Sequence, residues 1–130
     1  MITIGGYSGD EFDTTAQVVD DDTDYVQIAT IQAAGRAVVL LGDVGAGGAL
    51  AALKISASPV LAGTHVDLLE DADFSTEVAA MPWCLPATPH TTAAGGAFAL
   101  KLDAGAGEYT IWAKKATTDT TLRIRGRILR

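Results

Sequence analysis

Cysteine is nearly missing from this chain of 130 residues: Cys84 stands alone, which excludes an internal disulfide framework. No base flanks it in sequence, so it reads as a small buried apolar residue rather than a reactive thiol. Aromatic residues are few as well. Three Phe, two Trp and three Tyr stand against 14 Gly and 23 Ala, so each buried position contributes little apolar area and the core is expected to be thin. Nine Lys and Arg face sixteen Asp and Glu, for a net charge of −7. A surface this acidic repels a polyanion over most of its area, so a direct nucleic-acid partner is not expected. No apolar run approaches the ~20 residues that span a bilayer. The opening Met-Ile-Thr-Ile-Gly-Gly-Tyr also lacks the basic-then-apolar order of a secretion signal, so neither a membrane partner nor secretion is expected.

Catalytic signatures are missing too. Ser8, Ser56, Ser58 and Ser75 are the only serines, and none sits in a Gly-x-Ser-x-Gly elbow. The glycine cluster at residues 45–48 lacks the third glycine of a dinucleotide fingerprint, and no Gly-Lys-Ser or Gly-Lys-Thr follows any glycine loop, so these glycines read as a hairpin turn. Two acidic groups, Asp20, Asp21, Asp22 and Asp24, and Glu70, Asp71, Asp73 and Glu77, could offer oxygen ligands to calcium, but neither has the spacing of a helix-loop-helix calcium site. His65 and His90 are isolated. His65 and Asp67 share a strand face but would need a third, distant ligand to hold a metal. The expectation is a non-enzymatic chain with no catalytic, cofactor or metal residues.

What is present is a two-residue period. Leu122, Ile124, Gly126 and Ile128 alternate with Arg123, Arg125 and Arg127, the pattern of a strand with one buried face. Tyr109, Ile111 and Ala113 alternate with Thr110, Trp112 and Lys114, and the short polar stretch between predicts a terminal antiparallel hairpin. Further strands are predicted over residues 25–33, 36–41, 50–57 and 97–102, with weaker strand character at 60–69 and a short strand at 16–19, while 70–81 reads as a strand or as a short helix from Phe74 capped by Asp73. Residues 42–48 read as a turn. Residues 81–96 carry Pro82, Pro86, Pro89 and Gly95-Gly96, which is loop chemistry. No long helix is predicted. The expected fold is all-β, an antiparallel β-sandwich or jelly roll over residues 25–130, with residues 1–24 as an extended acidic N-terminal arm that is either disordered or held by another surface.

Charge is unevenly placed. Residues 1–80 carry a balance of −11 and residues 81–130 a balance of +4. Arg123, Arg125 and Arg127 project at ~7 Å intervals from one strand face, and a carboxylate-bearing protein partner suits them. Self-assembly is expected through Asp20, Asp21, Asp22 and Asp24 of one copy lying near the basic terminal strands of another, with Trp112 on the outer face as a contact residue.

The run Ala-Ala-Leu-Lys54-Ile-Ser-Ala-Ser58, the acidic Leu-Leu-Glu-Asp-Ala-Asp73-Phe and the closing Gly-Glu-Tyr-Thr-Ile-Trp-Ala-Lys with Thr-Leu-Arg-Ile-Arg-Gly-Arg-Ile-Leu together resemble small β-sandwich virion proteins of tailed bacteriophages. The likeness spans residues 25–130 and departs from the pattern at Ser58-Pro59, where Ser-Asp is usual. It implies a capsid decoration or cement protein, or else a neck or tail part. Such a protein would be made in the bacterial host cytoplasm, reside in the virion, bind the major capsid protein or other virion subunits, and form homo-oligomers in the particle. The rival reading is a glycan-binding module for surface attachment, for which Trp83 and Trp112 would form a flat exposed platform.

Overall fold

The structure, a computed structural model, describes residues 2–5, 11–71 and 92–129. Trp83, Cys84, His90, Arg130 and most of the segment expected at 70–81 lie outside the described residues. The described chain forms ten strands: β1 Ile2–Gly5, β2 Glu11–Asp13, β3 Gln17–Val19, β4 Val26–Gln32, β5 Val38–Val44, β6 Leu50–Ser58, β7 Val66–Asp71, β8 Ala97–Leu102, β9 Glu108–Lys115 and β10 Thr120–Ile128. They build two sheets packed as a sandwich. The first has the order β1-β4-β9-β6-β7, and the second has the order β2-β10-β5-β8 with β3 also pairing with β10. Every pairing is antiparallel except β1 with β4.

The predicted terminal hairpin does not form, because β9 and β10 lie in different sheets. β9 runs between β4 and β6, and β10 runs between β5 and the pair β2 and β3. Crossing from one sheet to the other lets Tyr109, Ile111 and Ala113 face Leu122, Ile124 and Ile128 across the core, and all six are buried. A hairpin would have set these side chains beside one another on one face. β4 and β5 cross in the same way through Ala34 and Gly35, at φ of 52° and 81°, and β5 crosses to β6. The glycines at 45–48 therefore turn the chain between sheets, and only β6 and β7 pair as consecutive strands among those described.

Strand β5 also runs through Gly42, where the sequence predicts a turn. Gly42 stands opposite Phe98 of β8, and a Cβ there would come within 2.1 Å of the Phe98 ring. Gly126 repeats the device in β10: it pairs with Phe12, and a Cβ would meet the Val39 carbonyl oxygen at 2.2 Å and the Phe12 ring at 2.9 Å. A ring laid over a strand glycine covers exposed backbone and fills the missing side-chain volume. Two of the chain's few aromatics are used this way. Apart from Tyr109, the rest of the core is aliphatic, with Ile28, Ile31, Leu53, Ile55, Leu100 and Val38 among its fully buried side chains.

The described residues of the leading segment form short strands on the edges of the chain's own sandwich. β1 adds to the edge of the first sheet, while β2 and β3 add to the second. Between β2 and β3 the buried Thr14 donates its N–H to the Ile124 carbonyl at 2.9 Å and accepts the Ile124 N–H on Oγ1 at 2.9 Å. A side chain thus completes the ladder where the backbone, at Thr15 φ 58°, bends away.

Candidate interaction surfaces

Two outer faces collect the side chains singled out by sequence, and they treat charge differently. On the second sheet the arginines of β10 point outward, as the alternation predicts, but each meets a carboxylate of its own chain. Arg123 grips Asp13 bidentately, with Nε to Oδ1 at 3.0 Å and Nη2 to Oδ2 at 2.5 Å. Arg125 reaches Asp43 at 2.7 Å, and Arg127 pairs with Glu11. The Arg123 hydrogen bonds, followed by the Thr15 N–H, hold the Asp13 carboxyl down to about 2 from its ordinary 3.8. Each of the three arginines thus has a carboxylate of its own chain as a partner. Glu11 and Asp13, which belong to the expected arm, satisfy two of them from the neighbouring strand.

The aspartates expected to reach the basic strands of another copy lie in the loop between β3 and β4. Asp21 folds its carboxylate back to accept the N–H groups of Thr23 at 2.8 Å and Asp24 at 3.0 Å, which lowers its pKa and fixes the loop. The Asp21 carbonyl accepts the Lys115 N–H at 2.9 Å, so the loop sits at the end of β9. Asp20, Asp22 and Asp24 are exposed. Asp20 and Asp22 help to raise the pKa of Lys115 through space, behind the larger effect of its hydrogen bond to Asp119.

On the first sheet, Trp112 lies on the outer face of β9, half-buried, on the side opposite Tyr109 and Ile111 as the alternation predicts. Its indole N–H donates to Ser56 Oγ at 3.1 Å. Lys54 Nζ stands 4.7 Å from the centroids of both the Trp112 and the Tyr25 rings, and Lys114 Nζ stands 4.6 Å from Tyr25. The ring face that a sugar would stack on is thus occupied by an ammonium.

Further along this face the sequence hides a polar line. His65 Nε2 lies 3.1 Å from Glu108 Oε1 and 3.1 Å from Thr110 Oγ1, which in turn lies 3.1 Å from Thr30 Oγ1. Glu108 is only 4% exposed. His65 therefore finds a carboxylate 43 positions away in sequence rather than working with its neighbour Asp67, a pairing that local spacing does not encode. Among the described residues no group of three or more His, Cys, Asp or Glu could hold a metal ion.

Sequence reasoning also missed an apolar corner. Val60, Leu61, Val66 and Leu68 are exposed by 60%, 52%, 65% and 49% at the β6–β7 end of the first sheet. Val66 and Leu68 line a cavity of about 190 Å³ with Pro59, Ala104 and Ala106. The signal in the sequence is an apolar run that the strand period only half explains. On the second sheet a wider trough of about 310 Å³ runs over Val39, Leu41 and Gly126, rimmed by Glu11, Arg125 and Arg127.

Neither the protein-family models nor the curated proteins contain a match to this chain. What geometry establishes is an all-β, two-sheet sandwich.

Proposed function

We propose that this chain is a non-enzymatic structural protein of a phage virion, a decoration or cement protein that docks on the major capsid protein, bridges neighbouring shell subunits and associates with copies of itself in the particle. The observation that carries the reading is the apolar corner. Monomeric proteins rarely leave several large aliphatic side chains exposed together, and a docking partner that covers Val60, Leu61, Val66 and Leu68 recovers the free energy of their hydration, at about 25 cal/mol per Å². The sandwich fold and the likeness of its strand motifs to phage virion proteins support the same reading. A glycan-binding role needs a bare aromatic platform, and Trp112 has Lys54 against its ring.

The test is addition of purified protein to undecorated particles. Saturable binding that raises their tolerance of heat or chelator is expected, and a Val66→Asp/Leu68→Asp variant that still folds is expected to lose it. Absence of binding by the wild-type chain would contradict the proposal.

A further inference from the structure

We infer that Lys54 and Lys114, set against Tyr25 and Trp112, hold the acidic loop of a second copy through Asp20, Asp22 and Asp24. The inference deepens the self-association part of the reading above and rests on it.

The contrast among the bases carries it. Lys101, Lys115, Arg123, Arg125 and Arg127 each have a carboxylate within contact distance in their own chain. Lys54 and Lys114 have none among the described residues, nor does Arg36. Both lysines instead place their ammonium groups on the one Tyr25 ring, at 4.7 and 4.6 Å. Two like charges sharing a ring, with no contact carboxylate among the described residues, favour an incoming anion. The platform is rigid beforehand, because Trp112 sits on a central strand and is tied to Ser56, so little ordering cost opposes binding.

The acidic loop supplies the matching charge beside that platform. Asp24 runs directly into Tyr25, and the loop is anchored to β9 through Asp21 and Lys115. Asp21 is occupied by its own turn, while Asp20, Asp22 and Asp24 are exposed and make no ion pair among the described residues. Within one copy no carboxylate of the loop forms an ion pair with either lysine among the described residues. Two adjacent patches of opposite sign on one surface are self-complementary under a two-fold rotation: loop to lysines, and lysines to loop. The net charge of −7 opposes the approach weakly, since carboxylates beyond a Debye length of about 8 Å are screened at physiological salt.

Sedimentation velocity over a concentration series tests this with two charge-reversed variants, Lys54→Glu/Lys114→Glu and Asp20→Lys/Asp22→Lys/Asp24→Lys. The wild-type chain is expected to dimerise, more weakly as salt rises. Each variant alone is expected to sediment as a monomer, and an equimolar mixture is expected to form a heterodimer, because each partner then offers the sign the other lacks. If a reversed variant fails to fold, Lys54→Gln/Lys114→Gln and Asp20→Asn/Asp22→Asn/Asp24→Asn carry the test, each weakening dimerisation at least about tenfold. A wild-type chain that stays monomeric, or a mixture that does, overturns the inference. Particle binding is scored separately: a dimer that ignores undecorated particles ends the cement reading and leaves this contact standing, while particle binding by a strict monomer does the reverse.

Discussion

The outer faces of the two sheets carry similar residue types and use them in opposite ways. On the second sheet three arginines are neutralised by carboxylates of the same chain, two of which arrive on the leading segment, so charge works as a latch that fastens residues 11–13 to β10. On the first sheet two lysines rest on aromatic rings without a contact carboxylate among the described residues, while the carboxyl of Glu108 on the same face is buried against His65. Net charge and periodicity do not separate these cases. What separates them is which strand becomes the neighbour.

The sharpest way to probe the first face is to leave its buried carboxyl without its imidazole partner. His65→Ala removes the imidazole that stands 3.1 Å from the buried Glu108 carboxyl, and leaving that polar group without this partner is expected to cost about 3 kcal/mol, read as a lower denaturation midpoint. Adding Glu108→Gln to that variant is expected to return part of the loss. A His65→Ala chain as stable as wild type would mean that Glu108 is not held by this contact.

The second face is expected to respond next most strongly through its glycines. Gly42→Ala forces a Cβ into the Phe98 ring and is expected to destabilise by roughly 2 kcal/mol, with Phe98→Leu in the same chain relieving part of the strain. No loss would mean that the ring is free to move aside.

The smallest effect separates the faces by pH. Folding depresses Asp13, so its contribution is present above the ordinary carboxylate value of 3.8 and is lost as the pH falls towards about 2. Between about pH 4 and pH 2, amide exchange in β2 is expected to accelerate before that in β4, an interior strand with no ionisable side chain of its own. Simultaneous acceleration in both strands would erase the distinction between a latched edge and a central strand.

The sequence made strand faces legible and left strand neighbours hidden. Tyr109, Ile111, Leu122, Ile124 and Ile128 point inward as their alternation predicts, and Trp112 and the arginines point outward. A period of two reports a side and carries no information on whether the next strand pairs or crosses, which is why β9 and β10 read as a hairpin. Gly42 read as a turn because a glycine in a strand makes sense only once Phe98 is placed over it. The arginine pattern was visible but its carboxylates were not, since Glu11 and Asp13 lie more than a hundred positions away and meet β10 only through the edge pairing of β2.

The contrast between latch and contact is tested most directly by one variant measured twice. In Arg123→Gln/Arg125→Gln/Arg127→Gln, hydrogen exchange at residues 11–13 and self-association by sedimentation are followed side by side. Faster exchange in β2 with self-association unchanged is the predicted result. Lost self-association with β2 as protected as in the wild-type chain would contradict it, and would return the arginines to a partner.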